Sequence, residues 1–263
     1  MELGLKGKTV IITGGGSNIG RAILLAFAAE GCNVVSAEID EVQGQRVVDQ
    51  ANALKKGGTT VLIKTDVTDG ASVQAMVART MQRFGSIHAL VNNVGGTMDR
   101  LFIEKTREEW EKEIRVNYWS FLNCTRGVLD HMIAEKRGSI VSIGSDAGRM
   151  GEFREAVYGG MKGAIIASSK AIAREVGRYG IRVNVVCPGV TIPKPEEMGN
   201  LSIWKDMLTV FTPEAQERAS RLYALRRLGK AEEVANAVVF MSSDAASFIT
   251  GQTLSVSGGY TMM

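Results

Sequence analysis

Apolar residues fall along this chain in short unbroken runs, separated by longer stretches in which they recur every three or four positions. The short runs are Thr9–Thr13, Asn33–Glu38, Thr59–Thr65, Ile87–Val91, Gly138–Ile143, Ile181–Val186 and Thr253–Val256, and they predict strands. Most are continuously apolar, as strands buried on both faces of a parallel sheet must be. The longer stretches predict amphipathic helices. In one of them Val73, Met76, Val77, Thr80, Met81 and Phe84 form a single stripe against a sheet. Strand and helix alternate almost from end to end, which predicts a doubly wound α/β fold: a parallel sheet of about seven strands with helices on both faces. No repeat or linker interrupts the pattern, so residues 1–263 read as one domain.

One stretch breaks the alternation. Pro188, Pro193, Pro195 and Pro213 are the four prolines of the chain, and Met198, Trp204, Met207, Leu208 and Phe211 are interspersed among them. A long insertion rich in flexible apolar side chains predicts a lid over a site at 188–230. Two short helices patching the sheet edge are the alternative.

Composition narrows the classes. Of 263 residues, 45% are hydrophobic and 22% charged, with a mean hydropathy of +0.03, which suits a chain with a full core. The net charge is +3, and the basic residues are scattered, so no nucleic-acid footprint is expected. Cys32, Cys124 and Cys187 form no CxxC, and His88 and His131 lie far apart, so no metal site is expected. No stretch approaches the roughly 18 apolar residues of a membrane span. With Lys6 and Lys8 set against the first strand, no signal peptide is expected, and a cytoplasmic protein is the default.

The first strand runs straight into Gly14-Gly15-Gly16-Ser17-Asn18-Ile19-Gly20 and then a helix beginning near Asn18. Such glycines permit a tight turn and close approach of backbone to a phosphate, which the free N–H groups of the helix then receive. In this strand–turn–helix setting the cluster predicts dinucleotide binding. Glu38 ends the second strand about 20 residues beyond the turn, where a carboxylate accepts the adenosine ribose hydroxyls and repels a 2′-phosphate. No basic residue stands at position 17 or just after Glu38, so NAD is expected rather than NADP.

Tyr158 and Lys162 are four apart in a predicted helix, hence on one face. An ammonium beside a tyrosine stabilises its phenolate and makes it a usable base. Ser145 follows the fifth strand, 13 residues before the tyrosine, at the end of the sheet where α/β sites gather. A hydroxyl there can polarise a substrate carbonyl while the tyrosine moves a proton. Asn117 shares an inward stripe with Trp110, Ile114, Phe121, Thr125 and Leu129. A buried amide must be satisfied, so Asn117 either braces backbone or serves the site.

Together these residues resemble the short-chain dehydrogenase/reductase family, over nearly the whole chain. The glycine pattern matches Thr13, Gly14 and Gly20, with Asn18 where the family has a middle glycine. Asn tolerates left-handed backbone, so the turn is expected to survive. Asp66-Val67 is similar to the pair at the adenine, and Asn92-Asn93-Val94-Gly95 to the motif after the fourth strand. Pro188-Gly189-Val190-Thr191 is similar to the motif beside the nicotinamide, with Pro193 where a threonine is usual. The resemblance implies a Rossmann-type fold and a catalytic tetrad of Asn117, Ser145, Tyr158 and Lys162. It also implies NAD contacts from Gly14, Ser17, Asn18, Ile19, Gly20, Glu38, Asp66, Val67, Asn93, Gly95, Pro188, Val190 and Thr191, with Tyr158 and Lys162. In this scheme Lys162 holds the nicotinamide ribose and lowers the pKa of Tyr158, the general base in oxidation. Ser145 orients the substrate oxygen, and Asn117 anchors a water in the proton relay. A homotetramer is implied, with Ser255–Gly259 in the C-terminal interface strand.

For the substrate, Arg154–Lys162, Val183–Thr191 and Phe248–Met263 are similar to alicyclic hydroxyacyl-CoA dehydrogenases such as 2-hydroxycyclohexanecarboxyl-CoA dehydrogenase. Asn92–Thr97 is similar to cis-diol dehydrogenases of aromatic degradation. The expectation is an NAD-dependent oxidoreductase for a cyclic or aryl hydroxyacyl-CoA or hydroxy acid. A 3-oxoacyl reductase of fatty-acid synthesis and a silent NAD-binding scaffold are the alternatives. Arg149 and Arg154 either meet a carboxylate or CoA phosphates, or are solvated loop arginines.

Overall fold

A computed structural model describes every residue except Met1, Asn200, Leu201 and Ile203. The strands are β1 (Thr9–Thr13), β2 (Asn33–Glu38), β3 (Thr60–Lys64), β4 (Ala89–Asn92), β5 (Gly138–Ile143), β6 (Ile181–Pro188) and β7 (Thr253–Val256). All pair in parallel, in the order β3-β2-β1-β4-β5-β6-β7. The order reverses direction between β1 and β4, which opens the crevice where such sheets bind ligands. The seven-stranded expectation holds. Four strands match their predicted limits; β3 and β4 shift by one or two residues at each end, and β6 runs on to Pro188.

The helices in chain order are α1 (Asn18–Ala29), α2 (Glu41–Ala53), α3 (Gly70–Phe84), α4 (Arg107–Ile114), α5 (Ser120–Ala134), α6 (Ala147–Met150), α7 (Ala156–Val176), α8 (Trp204–Val210), α9 (Pro213–Ser220) and α10 (Ala231–Ser242). Because side chains alternate along a strand, Val10 and Ile12 of β1 face one layer and Ile11 the other. The first layer is Ile23, Leu24 and Phe27 of α1 against Val234 and Val238 of α10. The second is Val73, Met76 and Val77 of α3 with Cys124, Val128 and Met132 of α5. This buried sandwich holds the strand ends still, and those ends carry the site.

Among the described residues no helix is long and apolar enough to cross a membrane, and no His, Cys, Asp or Glu group could hold a metal. The cysteines are free and buried, and burial pushes each thiol up to about 12. Edge strand β7 leaves Leu254 exposed, and Phe248 beside it is fully exposed.

Candidate active site

The glycine turn closes as its residue types require. Gly14 is left-handed (φ 66), and its N–H donates to the Ala37 carbonyl at 2.8 Å. A side chain at Gly20 would put its first carbon 1.9 Å from the Gly14 carbonyl oxygen, so only glycine lets α1 start this close. Asn18 takes the left-handed backbone expected of it (φ 43), and its amide donates to the Thr191 carbonyl at 3.3 Å. Its Oδ1 is buried without a partner. Ser17 occupies the N-cap in extended geometry but makes no side-chain cap, and no acidic residue lies in the first turn of α1. The helix therefore keeps free N–H donors for an anion.

At the end of β2, the Glu38 carboxylate accepts from the Gly16 N–H at 2.9 Å and from Ile39 N–H at 2.8 Å. That carboxylate therefore braces the turn. Asp66 is exposed just beyond β3, its carboxylate held by Thr68, while Val67 is buried. Asn93 follows β4 and is committed to scaffolding: its amide donates to the carbonyls of Thr13 at 3.0 Å and Gly14 at 3.1 Å. The turn is therefore clamped from both neighbouring strands.

Asn117 is fully buried at the centre of a π-helical turn, Arg115–Trp119, inserted between α4 and α5. The extra residue per turn frees a carbonyl, and Asn117 Nδ2 donates to it, Glu113 O, at 2.9 Å. The same amide pairs with Gly96 in both directions, donating at 2.8 Å and accepting at 3.0 Å. Of the two roles open to Asn117, these bonds are those of a brace. The π turn also alters the predicted stripe, burying Glu113 where the helical spacing selects Ile114.

Tyr158 and Lys162 project from α7, which lies against α6 without side chains between them. A carbon added at Gly148 would sit 2.5 Å from the Gly163 nitrogen, and one at Gly159 would sit 2.9 Å from the Ala147 carbonyl. Lys162 is buried, with Nζ donating to the Ile143 carbonyl at 2.8 Å and lying 5.4 Å from the Tyr158 ring centre. Burial lowers its ammonium to about 8. Ser145 anchors the start of α6, accepting from Ala147 N–H at 3.1 Å. Burial, and then the negative Glu155, push the Tyr158 phenol above its ordinary value; the Ser145 hydroxyl pulls the other way. Desolvation is the largest of these influences on the phenol.

Between these groups the backbone is bare. A side chain at Gly95 would meet Asn117 Oδ1 at 2.6 Å and Lys162 Nζ at 3.0 Å. Lys162 spends one of its donors on Ile143, leaving others for a ribose. Pro188 ends β6; Val190 N–H donates to the Tyr223 hydroxyl at 3.0 Å, and Thr191 is buried with its carbonyl on Asn18. The bare cradle, the uncapped helix and the orphaned Asn18 oxygen fit a dinucleotide along the β1–β4 crevice.

The 188–230 segment forms a short 3-10 turn at Pro195–Glu197 followed by α8 and α9. Met198, Trp204, Met207, Leu208 and Phe211 are half-buried. Its near end is pinned to α1 by Arg21–Glu197 at 3.1 Å. Asn200, Leu201 and Ile203 of that stretch lie outside the described residues. Arg149 donates to Ser255 Oγ at 2.7 Å and lies beside Asp146; Arg154 is exposed. Sequence reading passes over Glu155, Tyr223 and Gly96. Only Glu155 carries a signal, one turn before Tyr158.

A family model described as enoyl-(acyl carrier protein) reductase matches residues 14–261. The chain is 36% identical over 261 residues to the 3-oxoacyl-[acyl-carrier-protein] reductase of Escherichia coli (strain K12), covering 99% of this chain and 100% of that one. It is 35% identical over 257 residues to the enzyme of that name in Thermotoga maritima, covering 97% and 98%. Among solved structures, a 7α-hydroxysteroid dehydrogenase complexed with NADH and 7-oxo glycochenodeoxycholic acid superposes with a TM-score of 0.89 at 31% identity, covering 98% of this chain and 96% of that one. With the crevice, the tetrad and these relatives agreeing, the chain belongs to the short-chain dehydrogenase/reductase family of oxidoreductases, which bind a nicotinamide cofactor.

Proposed function

We propose that the protein interconverts a secondary alcohol and a ketone with NAD(H), the substrate being a cyclic or aryl β-hydroxyacyl compound. The convergence of Ser145, Tyr158 and Lys162 at the ends of β5 and α7, beside the bare Gly95 backbone, carries the alcohol–ketone part of this reading, and the resemblances of Arg154–Lys162, Val183–Thr191 and Phe248–Met263 support the ring. When bound, the oxidised nicotinamide supplies a hydride acceptor and a positive charge beside the phenol. Tyr158 takes the alcohol proton in oxidation and returns it in reduction. Ser145 holds the substrate oxygen against Tyr158, Lys162 grips the ribose, and Asn117 keeps the Gly95–Gly96 segment in position. Alcohol oxidation and ketone reduction are also what the names of the two kinds of relative describe. The open β7 edge and Phe248 suit assembly into a homotetramer.

NAD rather than NADP follows from Glu38, whose carboxylate would face a 2′-phosphate. Replacing Glu38 by Ala is expected to narrow the preference by about tenfold or more, through lost ribose contacts and lost repulsion. Fluorescence titration with NADH and NADPH checks this. Equal affinities in the unmodified protein contradict it.

The phenol is held protonated by burial and by Glu155, so oxidation should accelerate from neutral toward alkaline pH. Reduction, which uses the protonated phenol, should stay fast at neutrality and decline only at the alkaline end. Profiles of kcat/KM in both directions test this; an oxidation profile flat across the alkaline range contradicts it.

The 188–230 segment is proposed to close over the substrate, with Trp204 and Met207 excluding water from the reacting centre. Hydrogen exchange in α8 should slow strongly when NADH and a ketone are added together. Strong protection already present without ligand, and unchanged by it, favours a fixed patch on the sheet edge.

A further inference from the structure

Tyr158 lies in the first turn of α7, and the N-cap of that helix, Glu155, makes no side-chain cap. An uncapped first turn keeps its N–H groups unsatisfied and is the part of a helix that opens most readily. The loop leading into it, 151–155, is exposed at Gly151, Phe153 and Arg154, and Gly151 and Arg154 are left-handed (φ 75 and 71). Among the described residues one backbone bond ties this loop to another segment, from the Arg100 N–H to the Arg154 carbonyl at 3.3 Å. The place of the phenol therefore depends on side chains that hold the loop.

Those side chains come from residues about a hundred positions further along. Ser255 Oγ donates to the Asp146 carboxylate at 2.6 Å and accepts from Arg149 at 2.7 Å, which fixes the Ser145 end of the segment. The Tyr260 hydroxyl donates to the Glu152 carboxylate, which fixes the Tyr158 end. A hydroxyl bonded to a carboxylate is among the stronger kinds of hydrogen bond. Tyr260 is in turn stacked on Tyr223, with ring centres 5.1 Å apart and planes 25° off parallel. Tyr223 is buried, and its hydroxyl accepts from the Val190 N–H at 3.0 Å. A carbon added at Gly259 would sit 2.6 Å from Ala224 Cβ, so the turn presenting Tyr260 is seated directly on the chain after Tyr223. One line of contacts thus runs from Val190 at the end of β6, through Tyr223 and Tyr260, to Glu152 before the phenol.

We propose that Tyr260 is a positioning residue for Tyr158: through Glu152 it fixes the loop that leads into α7, and through Tyr223 it ties that loop to the base of the 188–230 segment. The inference rests on the dehydrogenase reading for the role of Tyr158, but it is tested separately. Because the loop is exposed, cutting its tie should open it locally and leave the global stability nearly unchanged. A purely structural bond would instead show its loss in the melting temperature and not in the rate.

The test compares the unmodified protein with Tyr260→Phe, Glu152→Ala, Glu152→Gln and the double variant Tyr260→Phe/Glu152→Ala, assayed with NADH and methyl 2-oxocyclohexanecarboxylate. Tyr260→Phe keeps the ring and its stack and loses only the hydroxyl, while Glu152→Gln keeps an acceptor for it. Tyr260→Phe and Glu152→Ala should each lower kcat by on the order of tenfold, with NADH affinity unchanged. The double variant should be no slower than either single one, and Glu152→Gln should recover most of the rate. Hydrogen exchange over 151–158 in the NADH-loaded protein should quicken in Tyr260→Phe and Glu152→Ala and stay slow in Glu152→Gln. Additive losses in the double variant, a Glu152→Gln as slow as Glu152→Ala, or unchanged exchange in Tyr260→Phe overturns the inference. If the unmodified protein reduces no ketone while exchange over 151–158 still follows Tyr260 and Glu152, the dehydrogenase reading fails and the tie stands.

Discussion

Replacement of Tyr158 by Phe is expected to lower turnover by on the order of 10²–10⁴ while leaving NADH affinity within a few-fold. The variant loses one oxygen and nothing of the scaffold. Lys162 keeps its bond to the Ile143 carbonyl, and the glycine turn is not touched. Ser145 is bonded to the Ala147 N–H. Another nearby group able to take a proton is Glu155, whose carboxyl is raised to about 7, but it is set back from Tyr158 by one turn at the N-cap of α7. Steady-state rates and NADH fluorescence on one preparation separate the two effects. A variant retaining most of its kcat contradicts the assignment of Tyr158.

The second large effect is expected at Gly20. An alanine there would place its methyl 1.9 Å from the Gly14 carbonyl oxygen and 2.6 Å from Asn93 Nδ2. Neither neighbour can yield cheaply. Gly14 is fixed by its bond to Ala37, and Asn93 by bonds to Thr13 and Gly14. Overpacking of this kind costs about 1–3 kcal/mol, and more where backbone must move. For a chain of this size each kcal/mol lowers Tm by about 2–4 °C. The larger loss should be in binding, because the displaced turn is the one that would cradle the pyrophosphate. Wild-type protein at a hundredfold excess of NADH over Kd gains about 2.7 kcal/mol of stability. Gly20→Ala should melt several degrees lower and gain almost nothing from NADH. A wild-type Tm with a full NADH shift contradicts the packing described for the turn.

Much of this site was readable before the fold because its chemistry depends on local spacing. Strand–turn–helix with glycines, a carboxylate at the end of β2, and a tyrosine and lysine four apart are all one-dimensional signals. The all-parallel sheet was equally plain, since strands buried on both faces leave unbroken apolar runs. What escaped the sequence depends on contacts between distant segments or on a local break in periodicity. The π turn at Arg115–Trp119 looks like ordinary helix in the sequence, and just before it Glu113 is buried against Lys105 and Thr97. Asn93 reads as a cofactor contact, yet its amide is spent on Thr13 and Gly14. Spacing reports which charges stand near Tyr158, whereas desolvation depends on everything packed around it. The bond from Arg149 to Ser255 was not legible either, because Ser255 lies 106 residues away in sequence.

The most direct measurement of the central claim follows the hydride itself. The protein is incubated with methyl 2-oxocyclohexanecarboxylate and NADH deuterated at nicotinamide C4 on either face, and the product is analysed by mass spectrometry and NMR. One deuterium on the carbinol carbon, from one face only, is the predicted result, with Tyr158→Phe giving little or no product over the same interval. Cofactor binding without deuterium transfer to any ketone in a panel of neutral cyclic and acyclic 3-oxo esters would contradict it.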